Sequence, residues 1–447
     1  MIRKHGEEQP YINLKLFKLR IPGIHYRLEM SELIQGLIIG TTALSSIAIF
    51  TEYFGLSFDV AWGIIIIEAF LYMMHSLLGD PVVPGWITPA LPLTLAYISK
   101  FEVGQERIQA MMALQILVAI IFIVMGLTKS AGKLLNIVPN SIKGGILLSA
   151  SISAIFGEFK EGARIETYPY TIIFGFILVT FITFSNVFKK IKQKNNFLSI
   201  IASYGTLIPL LLALVFGIII GELPMPNFEI GTFIKFVDFK SIINTTSIFA
   251  VGVPSFKLFI DALPLALVIY IIAFGDFVTS ETLIKEAVED RDDEKIDFDS
   301  NRSNIISGIR NTILAILAPF PPLSGPLWAG ITATIALRYK DGRKAMDSLI
   351  GGMGTFRLAT FISVILIPIV SIMKPVFPIG IALTLLTQGF ICARLAMEFC
   401  KTDLDRGVAG VMAVILFTKG AAYGLIAGII LHLLLIGFKK DEDTINL

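Results

Sequence analysis

Cysteine and histidine are scarce in this chain. Of 447 residues only two are cysteines, Cys392 and Cys400, eight apart in one apolar stretch. That pattern supports neither a disulfide framework nor a CxxC metal site, so both read as core residues. The four histidines, His5, His25, His75 and His432, are scattered without HExxH or similar ligand spacing, which removes the commonest metalloenzyme patterns. A nucleophile motif, a paired His/Asp cluster and a phosphate-binding glycine loop are lacking too. An enzyme is therefore not expected, nor a cofactor. Charge is also sparse: 16% of residues, with a net charge of +2, too small to suggest a nucleic-acid partner. The first thirty residues, MIRKHGEEQPYINLKLFKLRIPGIHYRLEM, lack an apolar h-region ahead of a small-residue cleavage site. The expectation is no cleavable signal and a cytoplasmic amino terminus.

What fills the chain instead is apolar. Hydrophobic residues make up 55% and the mean hydropathy is +0.77, more apolar surface than one soluble core buries. A spanning helix needs about 20 mainly apolar residues, and such runs occur almost from end to end. Seven spans are expected near 31–53, 58–79, 84–100, 107–127, 140–157, 168–188 and 197–220. Seven more follow near 260–284, 303–318, 324–338, 347–373, 375–400, 404–418 and 420–438. Between them, NFEIGTFIKFVDFKSIINTTSIF reads either as a short amphipathic element at the interface or as a structured loop. The expected organisation is an N-terminal segment 1–30, a first repeat 31–220, a connection 221–258, a second repeat 259–438 and a tail 439–447.

Lys and Arg concentrate in alternate loops of cytoplasmic membrane proteins. KKIKQK at 189–194, the segment 285–302, RYKDGRK at 338–344 and Lys439 and Lys440 all fall on the amino-terminal side of this scheme. Sparser charges such as Lys160, Arg164, Lys374 and Lys419 fall opposite. Both termini are then cytoplasmic in a multi-pass plasma-membrane protein. The acidic stretch 286–299 reads as a solvated loop.

GDPVVPGWITPALPL (79–93) echoes APFPPLSGPLWAGITA (318–333): each is broken by Pro and Gly, carries a Trp and opens a hydrophobic run. Trp86 and Trp328 lie on the third span of each half. Seven spans per half would turn the second copy upside down, giving an inverted pair. Proline lacks an amide hydrogen and restricts the residue before it, so extended backbone should precede each helix. In a bilayer that is tolerated only where protein or a wet cavity satisfies the freed groups, and matched interruptions point to a transporter binding site. Helices starting there aim amides inward and favour an anionic or electron-rich ligand. Trp86, Thr88, Ser324, Gly325 and Trp328 are the candidate substrate contacts at these starts; interfacial anchoring is the ordinary alternative for the tryptophans.

A charge at the bilayer centre costs about 2.5 to 3.5 kcal/mol on insertion scales and tends to mark function. Asp276 in LALVIYIIAFGDFVTSETL, with Ser280 one turn later on its face, is the first candidate as a substrate or cation ligand or a proton carrier; a satisfied packing carboxylate is the alternative. Glu68 and His75 share a face of the second span and could pair along a proton path or as a helix contact. Arg394 and Glu398, four apart, read as a local ion pair.

The pattern resembles the superfamily that joins sulfate permeases, bicarbonate transporters and nucleobase and ascorbate permeases. The resemblance is carried by IDALPLALVIYIIAFGDFVTSETL and NRSNIISGIRNTILAILAPFPPLSGPLWAG, where Asp276 stands for the acidic residue of the eighth span. Gly308 and Asn311 fill the ninth, and Pro322 to Gly330 face Pro84 to Pro92. It implies an all-α fold of about fourteen spans in two inverted repeats of seven, broken at the third and tenth. A core of spans one to four and eight to eleven would move against a gate of the other six, often as a homodimer through the gates. SGPLWAG stands where nucleobase permeases carry Gln or Glu followed by Asn and Gly, and only DEDTINL follows the last span, so no STAS domain is expected. The implied function is a secondary transporter, coupled to H+ or Na+, for a small anion or nucleobase-like solute. An uncoupled channel or facilitator of the same fold stays open, with a membrane-embedded lipid-modifying enzyme the weaker third class.

Overall fold

The computed structural model describes residues 3–130, 137–195, 198, 201, 204–227, 231–289 and 291–437; the expected tail 439–447, with Lys439 and Lys440, lies outside them. The first half runs through α1 (Met30–Ile39), α2 (Ile47–Phe54), α3 (Phe58–Tyr72), α4 (Met74–Leu77), α5 (Leu91–Ile98), α6 (Gln105–Thr128), α7 (Asn140–Phe159), α8 (Arg164–Thr167), α9 (Pro169–Phe184), α10 (Asn186–Lys192) and α11 (Leu207–Ile219). Two short helices, α12 (Phe239–Thr246) and α13 (Ile248–Val251), connect it to the second half. That half holds α14 (Phe256–Glu289), α15 (Ser300–Leu317), α16 (Ala329–Tyr339), α17 (Leu349–Ile365), α18 (Ile367–Met373), α19 (Phe377–Phe399), α20 (Asp403–Lys419) and α21 (Ala421–Leu435). The described residues also form six short strands: β1 (Glu7–Glu8), β2 (Ile12–Leu14), β3 (Phe17–Leu19), β4 (Gly85–Trp86), β5 (Glu294–Lys295) and β6 (Ser324–Gly325).

Helix ends follow local chemistry. Ser57 caps α3 by accepting from Val60 N, Asp299 caps α15, and Thr402 and Asp405 form a reciprocal capping box on α20. Among the described residues six helical stretches are long and apolar enough to cross a membrane, 30–54, 58–77, 105–128, 140–167, 256–289 and 367–399. A seventh, α9 with α10, is bent by 64°. The polar interval holds two short helices and a structured loop among its described residues. Its short helices follow a loop whose Phe233 O and Lys235 N bond Ile367 N and Ile365 O at 2.9 and 2.8 Å.

Prolines and glycines open the backbone at two places, and the openings satisfy each other. β4 and β6 pair antiparallel, Gly85 with Gly325 and Trp86 with Ser324. Around them Trp328 N donates to Val83 O at 2.6 Å and Ile87 N to Pro322 O at 3.2 Å, while Thr332 Oγ1 accepts from Val83 N at 3.2 Å. Amides that no helix can pair thus find partners across the crossing. Only glycine fits at position 85, where a Cβ would lie 2.7 Å from Leu327 O.

The acidic stretch 286–299 is not the solvated loop expected. β5 within it pairs in parallel with β1, Arg291 and Glu294 are buried, and Asp293 bonds the guanidiniums of both Arg3 and Arg291. The basic partners come from the N-terminal segment, which the local pattern does not reveal. Cys392 and Cys400 are buried and free, and Arg394 pairs with Glu398 at 3.3 Å.

Candidate functional site

The strand crossing is the floor of a buried polar cluster. α3 contributes Glu68 and Tyr72, α15 contributes Arg310, and α17 contributes Arg357. Both guanidiniums lie over the Tyr72 ring, that of Arg310 4.0 Å and that of Arg357 4.3 Å from its centroid. Arg357 also lies 5.4 Å from the Trp328 ring, and Arg310 Nη1 donates to Gly325 O at 3.3 Å. Glu68 lies within electrostatic reach of both guanidiniums and faces Trp86.

These groups are deeply buried and incompletely paired. Arg310 is 0% and Arg357 4% exposed. Nε and Nη2 of both arginines, Glu68 Oε1, Tyr72 OH and Ser324 Oγ have no hydrogen-bond partner among the described residues. A buried polar group left unpaired costs about 1 to 3 kcal/mol, and more when charged, so natural cores pair such groups. Four unpaired donor nitrogens on two cations, gathered about one aromatic ring, are what an anion-binding site presents: guanidinium is donor-only, and its fork matches planar oxygens.

A second layer fixes the floor. Asn311 accepts from Ser324 N at 3.0 Å and donates to Ser324 O at 2.8 Å, pinning β6 to α15. Gln115 on α6 donates to Asn311 Oδ1 at 3.1 Å and accepts from Phe320 N at 2.8 Å. Both side chains are fully buried. Gln115→Leu strands the Phe320 amide and removes a donor from Asn311. It should cost about 2 to 4 kcal/mol, read as a lower Tm in detergent; an unchanged Tm would show that the clamp is dispensable.

Of the residues expected from the sequence, Trp86, Ser324, Gly325 and Trp328 come together at the crossing, and Thr88 donates to Trp86 O at 3.5 Å. Glu68 joins the arginine cluster. His75 does not pair with Glu68: its Nδ1 lies 2.7 Å from Asp80 Oδ2, both groups fully buried. Asp276 is half-buried on α14 with no ion pair or side-chain hydrogen bond among the described residues; buried Ser280 donates to its main-chain oxygen at 2.8 Å. Sequence reasoning missed Arg310, Arg357, Tyr72, Asp80 and Gln115. The signal was present for the arginines: each sits inside a long apolar run, where an ionisable group is costly.

No family profile and no curated protein sequence matches the chain. Solved structures do. The transmembrane domain of the cyanobacterial bicarbonate transporter BicA aligns over 90% of this chain and 99% of its own, with TM-score 0.56 and 13% identity. The murine anion transporter Slc26a9, in its inward-facing state, aligns over 92% of this chain and 68% of its own, with TM-score 0.53 and 15% identity. A structure of SLC26A9 gives TM-score 0.54 at 17% identity, over 91% of this chain and 65% of that one. This is the BicA and SLC26A9 fold. The likeness at such identities is one of fold, and with the apolar helices it makes the chain a multi-pass membrane protein.

Proposed function

We propose that the protein is a secondary active transporter of a small anion, and that the anion binds between Arg310 and Arg357 above the paired strands. The observation that carries this reading is the set of unpaired guanidinium nitrogens around Tyr72. The four guanidinium donors outnumber the unpaired carboxylate and hydroxyl oxygens beside them, which favours an anion over a nucleobase, whose edge asks for donors and acceptors together. In this reading β4–α5 and β6–α16 are the broken third and tenth of fourteen spans in two inverted repeats. Core and gate divide as the resemblance implies, both termini are cytoplasmic in the plasma membrane, and the protein pairs through its gates. Transport is coupled to H+ or Na+, because the cluster is close to neutral before an anion enters. Arg310 and Arg357 are offset by Glu68 and by Asp80, which is bound to His75. An anion entering alone would leave a buried net charge.

The test is a thermal-shift screen of purified protein against bicarbonate, sulfate, chloride and fumarate, followed by uptake into proteoliposomes with pH or sodium gradients. A ligand that binds only the folded state raises Tm. Stabilisation by an anion together with accumulation against its gradient is the expected result. Equilibration without accumulation would make the protein a facilitator, and no stabilisation by any of the four would count against the anion site.

A further inference from the structure

The N-terminal residues reach the anion site from one end. β2 and β3 form a hairpin, and Lys18 N and Arg20 N then donate to Leu78 O and Leu77 O at 3.2 and 2.8 Å, capping the carbonyls that α4 leaves open. Lys18 Nζ pairs with Asp297 at 2.7 Å, and Arg302 at the start of α15 bonds Asp297 Oδ2 at 2.9 Å and Gly79 O at 2.8 Å. Farther along, Glu29 Oε1 accepts from Asp347 N at 2.8 Å, and Glu29 N bonds Thr355 Oγ1 at 3.2 Å. The strap is thus fastened to the ends of the elements that carry Tyr72, Arg310 and Arg357.

Its fastening holds at physiological pH. Burial alone would raise the Asp297 carboxyl, but Lys18 and Arg302 outweigh it and hold the group at about 2, below the usual 3.8. A depressed carboxyl contributes stability that is complete above its unfolded value and is lost only as pH falls through the folded one.

Tyr26 is where the strap meets the site. It is 3% exposed, and its hydroxyl sits against Gly354, where a Cβ would lie 2.1 Å from that oxygen and 3.2 Å from Ser76 Cβ. The hydroxyl end of the ring therefore wedges against the point where α4 and α17 meet directly. Ser76 is one turn beyond Tyr72, and Gly354 one turn before Arg357. Nothing bulkier than glycine fits opposite the wedge.

Resting on the anion site proposed above, we infer that Tyr26 is a positioning residue for it. Its ring, carried by the strap and packed end-on against the Ser76–Gly354 contact, holds together the helices whose neighbouring turns present Tyr72 and Arg357 to the anion. A misplacement of about 1 Å at such a site can cost on the order of a hundredfold.

The test titrates bicarbonate and sulfate against full-length wild type, Tyr26→Phe, Tyr26→Leu and Tyr26→Ala, with Arg357→Gln as reference. Kd and the Tm of the anion-free protein are both read. Tyr26→Phe, which keeps the ring, should bind within about twofold of wild type, and Tyr26→Leu and Tyr26→Ala should bind about tenfold or more weakly. If Tyr26→Ala does not fold, Tyr26→Leu, which keeps apolar bulk, decides alone. Wild-type Kd in Tyr26→Leu, even with a lowered Tm, overturns the positioning role, as does equal weakening in Tyr26→Phe. Unaltered binding by Arg357→Gln, or none by wild type, would instead overturn the anion site on which it rests.

Discussion

Arg357→Gln should weaken anion binding by about a hundredfold or more, and the anion-free protein should melt below wild type. The first half follows from the geometry. Arg357 is 4% exposed, its Nε and Nη2 have no partner among the described residues, and its guanidinium faces Tyr72 at 4.3 Å. Truncating one partner of a buried, hydrogen-bonded charge pair costs about 2 to 5 kcal/mol, which is roughly thirtyfold to several thousandfold in Kd. Glutamine keeps two amide donors but loses the charge and the fork. Lysine should not rescue, because a point ammonium neither stacks on Tyr72 nor offers parallel donors. The second half follows from the charge balance: Glu68 lies within electrostatic reach of Arg357, and removing one member of a buried, compensated set leaves the other charge unbalanced. Arg310→Gln should bind as poorly and melt lower still, because Arg310 also donates to Gly325 O at the strand crossing. Isothermal titration and thermal melts check both variants. Binding within fivefold of wild type in both would remove the arginines from the site.

Much of the scaffold was legible in the sequence because its causes are local. Apolar length gives a helix wherever it occurs, and helices lie in each of the expected runs. Prolines 81, 84, 319, 321, 322 and 326 forbid helix where they stand, so the two openings could be placed, and Trp86 and Ser324 duly meet. The arginines escaped for a different reason. An acid such as Asp276 stands out within its apolar run, whereas Arg310 stands between Gly308 and Asn311 in a run already interrupted by small and polar residues. Arg357 follows a glycine-rich stretch that resembles plain helix packing. The strap was illegible in principle. β1 and β5 are separated by nearly three hundred residues, and a pairing of two-residue strands leaves no periodic trace. An acidic loop reads as solvated until its cations arrive from elsewhere in the chain.

Two carboxylates are candidates for the proposed coupling, and one pair of variants separates them. The sequence points to Asp276, for which Asp276→Asn should abolish coupled uptake with folding intact. The arginine cluster points to Glu68, which shares the site with Arg310, Arg357, Tyr72, Trp86 and the His75–Asp80 pair. Glu68 is a tethered anion beside the cations an incoming anion must use. Entry is easiest when it carries a proton, so affinity should rise as pH falls wherever the anion-free protein holds Glu68 ionised. Glu68→Gln imitates the protonated state. It should bind the anion tightly, with a Kd that no longer varies between about pH 5 and about pH 8. It should still exchange anion for anion in counterflow, but fail to accumulate anion in a proton gradient. If Glu68→Gln accumulates normally while Asp276→Asn does not, the ion is carried on α14 and Glu68 only balances the arginines. If accumulation follows sodium and neither variant changes its pH dependence, the proton is not the coupling ion and a cation must enter beside the anion to keep the buried charge balanced.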